Sequence, residues 1–446
     1  MGLPETLDAL LADFEDRGLP KVTPRRVELP GPPGKIDVVV GMRRSGKTYF
    51  LYQKIAERLS SGVGRSRILY LNFEDERLLP LSAEALQEIP EAFYRRHPAS
   101  RSLRCWFFFD EIHNVPSWEM FLRRLVDSEN VQIAVTGSSA KLLGREIATS
   151  LRGRSLTTEL LPFSFGEALT HRGIEIPKRW PPPARVRSLL ANAFDRYQEV
   201  GGFPEIQNLS LDLRLRVLRD YVDVVLFRDV VERHAVENVV ALRYLERSLL
   251  GQPSGKFSVN RLYNDLKSQG TRVAKDSLYE YLGYLEDAYL LFAVPIASRS
   301  ARVRQVNPRK IYLVDPGLAR AASFRASRDT GHLLENIVYL ELRRRGADVS
   351  YVRTKAGHEV DFLVQGLDGS RELVQVCTDL SEPAAQAREI RALEEAMAEH
   401  RVSRVTIVTL REEGERRTAG RKTIRVRAAW RWLLEPGRVR AVAGAG

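Results

Sequence analysis

Cysteine is nearly missing. Only Cys105 and Cys377 occur in 446 residues. Two thiols cannot build a disulfide framework, and they leave no Cys-rich cluster for structural zinc, so a reducing, cytoplasmic setting is expected. Long apolar runs are missing too. None approaches the roughly 20 residues that cross a bilayer, and no membrane partner is expected. Met1 to Glu5 holds no basic region followed by an apolar one, so no secretory leader is expected. No internal repeat or low-complexity tract is present, which excludes solenoids and fibrous arrays. Acid falls short of base, with 57 Asp and Glu against 69 Lys and Arg and a net charge of +12. An excess of that sign points to a polyanionic partner: nucleic acid, an acidic membrane surface, or nucleotide. It is greatest near the end, where residues 401–440 hold twelve Lys and Arg against four Glu.

Hydrophobic residues make up 44% of the chain, enough for two or three packed domains. Apolar strands at 36–40, 68–73, 105–109, 131–136 and 155–161 alternate with helical stretches. This alternation predicts an α/β fold with a parallel sheet covered on both faces. A proline-rich connector, Trp180-Pro181-Pro182-Pro183, follows. Residues 185–250 have helical periodicity. Short helices at 258–266 and 275–285, followed by a strand at 290–294, suggest a winged helix. The last stretch runs helix (333–345), strands (348–353, 359–365, 371–377), helix (383–399) and strand (404–409). The expected division is 1–175, 185–300 and 325–412, with a basic tail over 413–446.

The most specific motif is Gly41-Met42-Arg43-Arg44-Ser45-Gly46-Lys47-Thr48. It lies between the apolar run Ile36–Val40 and the helical run from Tyr49. Strand, glycine loop and helix in that order form a phosphate-binding loop. Its glycines let successive N–H groups face a polyphosphate at the positive end of a helix. Gly41, Arg43, Arg44, Ser45, Gly46, Lys47, Thr48 and Tyr49 are the expected nucleotide contacts. Lys47 would reach the β- and γ-phosphates of ATP, and Thr48 would ligate Mg²⁺. The strand Cys105–Phe109 runs into Asp110-Glu111. Ligands bind at the carboxyl ends of such strands. Asp110 is therefore expected at the Mg²⁺ and Glu111 at the attacking water. Thr136, Ser138 and Ser139 are candidates for sensing the γ-phosphate. Arg152 and Arg154 are candidates for neutralising it, in their own chain or in a neighbouring copy.

These motifs occur together with Asn72-Phe73-Glu74-Asp75, Pro162-Phe163-Ser164-Phe165 and Gly201-Gly202-Phe203-Pro204-Glu205. In that order the chain, over roughly 30–410, resembles the archaeal and bacterial AAA-type ATPases that carry a C-terminal restriction-endonuclease-like domain. The resemblance implies a P-loop AAA+ core, a winged helix, and an endonuclease-like α/β domain. Nucleases of that fold use a Glu on the first helix, an Asp on a strand, and a Glu-x-Lys pair on the next. Glu335 and Asp361 fill the first two places. Gln375 and Cys377 stand where the acid and lysine belong, so a domain that has lost cleavage is expected. The expected activity is ATP hydrolysis by an oligomer acting on DNA. The alternatives are a nucleotide-gated assembly switch and an ATP-dependent nuclease. Lys256, Arg261, Lys267, Arg272 and Lys275, with Arg299, Arg302, Arg304, Arg309 and Lys310, are candidate phosphate contacts. Glu280, Glu286 and Asp287 on the second helix of the winged-helix unit argue against DNA entry there.

Overall fold

The structure, a computed structural model, describes residues 2–137, 151, 153–322, 330–418, 420 and 422–435. The chain divides into two compact units, Met1–Leu161 and Pro162–Gly446. The first holds the five strands expected from the apolar runs: β1 (Ile36–Val40), β2 (Ile68–Asn72), β3 (Cys105–Asp110), β4 (Val131–Gly137) and β5 (Ser155–Glu159). Their order is β2-β3-β4-β1-β5, and every pairing is parallel. A strand buried on both faces reads as an unbroken apolar run, as Cys105–Phe109 does. Asp37 interrupts β1 and is buried, but Gly31 N donates to its Oδ1 at 3.0 Å. Helices α1 (Leu3–Asp16), α2 (Lys47–Ser60), α3 (Glu88–Arg96) and α4 (Trp118–Ser128) complete the unit.

The second unit opens with helices Phe165–His171, Ala184–Val200, Leu211–Val224 and Val239–Leu250. Two more, Val259–Ser268 and Lys275–Asp287, lie beside a three-stranded antiparallel sheet of order β6-β8-β7. Its strands are β6 (Lys256–Phe257), β7 (Leu291–Val294) and β8 (Arg309–Leu313). A six-stranded mixed sheet follows: β9 (Asp348–Arg353), β10 (Glu359–Gln365), β11 (Arg371–Cys377), β12 (Arg404–Thr409), β13 (Gly414–Arg417) and β14 (Thr423–Ala428). Its order is β13-β14-β12-β11-β10-β9. Helices Thr330–Arg344 and Pro383–His400 pack against it. The stretch read from sequence as a basic tail thus contributes two strands and the helix Ala429–Leu434. Its arginines alternate with buried Ile424, Val426 and Ala428, so one face is charged while the other closes the core.

Glu246, on the helix Val239–Leu250, is 4% exposed, and its Oε2 has no hydrogen-bond partner among the described residues. Burial raises its carboxyl to about 7, although Arg243 and Arg247 oppose the shift. The folded state therefore holds the Glu246 proton more tightly than the unfolded chain. The corresponding stability is present at acid pH and lost as pH rises from about 4.5 to about 7. Glu246→Met is expected to stabilise the protein by about 2 kcal/mol at pH 8 and by far less at pH 4, read as urea midpoints.

Candidate functional site

Gly41 follows the buried β1 with φ +153°, and a Cβ there would stand 2.3 Å from the Leu160 carbonyl oxygen. Gly46, at φ +98°, caps α2 in the left-handed region that glycine tolerates. Between them the loop is braced from behind. Arg25 Nη1 donates to Ser45 O at 2.9 Å, and Nη2 donates to Leu161 O. Arg25 is buried, lies 20 residues from its partner Ser45, and was not suggested by any sequence motif.

Lys47 opens α2 and is 5% exposed. Its Nζ donates to Gly41 O at 3.1 Å and to Met42 O at 3.3 Å, and lies 3.6 Å from Glu111 Oε1. The loop and the end of β3 therefore meet, although β4 separates β1 from β3 in the sheet. Asp110 is 1% exposed. Its Oδ1 accepts from Thr136 Oγ1, and its Oδ2 accepts from Tyr70 Oη at 3.1 Å. Thr48 is a further hydrogen-bond partner. Burial still holds the Asp110 carboxyl above its ordinary value, against the pull of the Thr136, Thr48 and Tyr70 bonds. A divalent cation beside it would favour the ionised form.

Glu111 takes a left-handed backbone, φ +53°, and its N–H donates to Thr136 Oγ1 at 2.9 Å. Its second carboxylate oxygen lies 3.2 Å from His113 Nδ1. Glu74 joins the same group, with Arg43 Nη1 3.6 Å away. Its carboxyl is raised by burial and then by the Glu111 charge. Arg44, at φ +66°, and Tyr49 are exposed at the rim. Tyr70 lies in none of the sequence motifs, and Glu74 and His113 stand in motifs that assign them no role, because nothing in their spacing says which group they face.

The donor set suits a polyphosphate with a hard cation. Ser45 Oγ is fully buried with no hydrogen-bond partner among the described residues, at the heart of the loop. Hydroxyl and carboxylate oxygens of Thr48 and Asp110 lie together, as a small divalent cation requires. Arg154 does not join this set. It precedes β5 at the end paired with Ile36, whereas the loop leaves β1 beyond the opposite end. Five residues of extended chain separate the two ends by about 16 Å. Its guanidinium instead meets Asp127, so Arg154 is not placed to act on its own loop. Ser138, Ser139 and Arg152 lie outside the described residues.

Of the cations expected to face phosphate, Arg261, Lys267, Arg272, Lys275, Arg299, Arg302 and Arg304 are exposed. Lys310 is not. It is 4% exposed and bound to Glu335, Glu359 and Asp361. The expectation erred because Lys310 closes a run of basic residues in sequence, while the carboxylates that pair with it lie 25 to 51 residues away. Gln375 Oε1 accepts from Asp361 N at 3.1 Å, so Glu335, Asp361 and Gln375 do converge.

Residues 33–169 match the family model described as AAA domain. Residues 191–329 and 330–428 match two described as Domain of unknown function, DUF8612 and DUF4143. An uncharacterised protein of Methanocaldococcus jannaschii is 36% identical over 437 residues, covering 96% of this chain and 94% of that one. The chain belongs to this AAA-domain family. A second relative of the AAA-domain protein, an uncharacterised protein of Haemophilus influenzae, is 29% identical over 75% of this chain and 80% of its own. Among solved structures, PCH-2 of C. elegans is similar at 14% identity and a TM-score of 0.27, over 47% of this chain and 60% of that one. Among the described residues of the AAA-domain protein, no helix is long and apolar enough to cross a membrane.

Proposed function

We propose that the chain is an ATP-hydrolysing AAA+ protein that acts on DNA as an assembly of identical copies. The observation that carries this reading is the meeting of Lys47, Thr48, Asp110 and Glu111 at one end of the first sheet. The N–H groups of residues 41–48 and the Lys47 ammonium bind the phosphates. Thr48 and Asp110 would hold Mg²⁺, which would supply charge neutralisation for the phosphoryl oxygens. Glu111 accepts the proton of the attacking water, and Thr136, bonded to both acids, holds them in register.

Assembly is supported by Arg154, which lies at the end of β5 away from its own loop and, among the described residues, pairs with Asp127 in a half-exposed contact that a neighbour can displace. DNA as partner is supported by the charge of +12 and by the exposed cations of the helix pair 259–268 and 275–287 and of segment 299–304. Glu286 opposes this less than its sequence position suggests, because its carboxylate accepts from Ala293 N at 2.8 Å. In this reading the helix pair with β6–β8 is a winged helix, and the six-stranded sheet is a non-cleaving relative of a nuclease domain.

The test is ATPase rate against salt, with and without single-stranded, duplex and branched DNA. DNA-stimulated phosphate release that falls steeply with salt and vanishes in Lys47→Ala is expected. A slow rate indifferent to DNA, with oligomer size set by nucleotide, would favour a nucleotide-gated switch.

A further inference from the structure

Lys310 lies outside the ATP chemistry, yet it is buried in contact with three carboxylates. Its ammonium has three N–H groups and meets three carboxylates. Glu335 Oε1 accepts at 2.9 Å and Asp361 Oδ1 at 2.8 Å, and Glu359 Oε1 lies at 2.9 Å. Glu335 comes from the helix Thr330–Arg344, and the other two from β10. The pairing of β9 with β10 shifts register between Val360 and Leu363. Glu359 and Asp361 stand two apart on β10 and so share a face, and both reach the same ammonium.

Each carboxylate is also held from another side. Tyr312 Oη donates to Glu335 Oε1 at 2.6 Å, Val376 N donates to Asp361 Oδ2 at 2.9 Å, and Lys256 pairs with Glu359 Oε2. One oxygen of each acid is thereby directed at a single point. Three hard oxygens converging on one point are what Mg²⁺ or Mn²⁺ takes. The Nζ–O distances of 2.8–2.9 Å exceed a Mg²⁺–O bond of about 2.1 Å. Among the described residues, no trio of His, Cys, Asp and Glu already stands at metal-binding spacing. An ammonium wedged between the acids accounts for both facts.

We propose that Lys310 is the resident cation of this trio: its ammonium occupies the place a divalent ion would take and keeps the site metal-free. This deepens the reading of the terminal domain as non-cleaving and is independent of the ATP reading. The defect then lies in an occupied site as much as in the neutral Gln375. Charge favours the arrangement. Burial alone would drive the ammonium to deprotonate, but Asp361, Glu335 and Glu359 outweigh it and keep Lys310 charged. Removing the lysine leaves three acids among which, in the described residues, Glu359 alone keeps a cation, Lys256.

The test is Mn²⁺ binding to the full chain without nucleotide, read by electron paramagnetic resonance. Lys310→Ala is expected to bind one Mn²⁺ per chain more than wild type, at least tenfold tighter than any wild-type binding. Adding Asp361→Asn should remove the gain. Equal binding by wild type and Lys310→Ala would overturn the proposal, as would a folded Lys310→Ala that gains no ion. If Lys310→Ala is soluble only with Mn²⁺, the proposal is supported. The double variant Lys310→Ala, Glu359→Gln carries less uncompensated charge. If both variants stay insoluble in Mn²⁺, the proposal fails. ATPase activity of Lys310→Ala, measured in parallel, separates failure here from failure of the ATP reading.

Discussion

Glu111→Gln is expected to lower ATP turnover by about two to four orders of magnitude while nucleotide is still retained. The carboxylate sits 3.6 Å from Lys47 Nζ, and its backbone is fixed by the bond to Thr136. A glutamine keeps the size of this side chain and one acceptor oxygen but cannot take a proton from water. Nothing that cradles phosphate changes, because the loop amides, Lys47 and Thr48 remain. The measurement pairs phosphate release with filter retention of labelled ATP. Turnover within tenfold of wild type would remove Glu111 from the chemistry and leave Glu74, the acid paired with Arg43 in the loop, as the candidate.

Gly202→Ala is expected to destabilise the second unit by about 3 kcal/mol or more. A Cβ there would lie 2.2 Å from the Phe163 carbonyl oxygen and 3.0 Å from its nitrogen. Both are backbone atoms and cannot rotate aside. Phe163 N also donates to Gly202 O at 2.7 Å, and Gly202 N donates to Asp315 Oδ2 at 2.5 Å. Asp315 is buried, and burial raises its carboxyl to about 6, so any loosening of those bonds leaves a costly acid inside. Urea unfolding measures the effect. Gly283→Ala, in a helix where a Cβ meets nothing within 4 Å, is the control, expected to hold or slightly gain stability.

The first sheet was legible because its strands are apolar runs and its loop is a motif of fixed spacing. Strand limits read from sequence agree with the structure to within two residues. Asp110 and Glu111 were legible for the same reason: a strand buried on both faces that ends abruptly in two acids points to the ligand edge. Contacts between distant stretches were not legible. Arg25 reaches Leu161 across 136 residues, and Lys310 reaches Asp361 across 51. No periodicity encodes either contact. Arg154 lay beside a glycine in a promising stretch, and only the parallel register of β1 and β5 shows which end of the sheet it occupies. The strands β13 and β14 carry the alternation of a half-buried sheet, but their arginines made charge the louder signal.

Those two late strands limit where the polypeptide can be divided. β14 runs parallel to β12 along Thr406–Thr409, and β13 covers the outer side of β14. A fragment stopped at residue 412 would leave β12 with a bare row of peptide groups beside buried Ile407 and Val408. Such a rim is a template for any passing extended chain. Clumping of that fragment would reflect the lost strand rather than the missing positive charge.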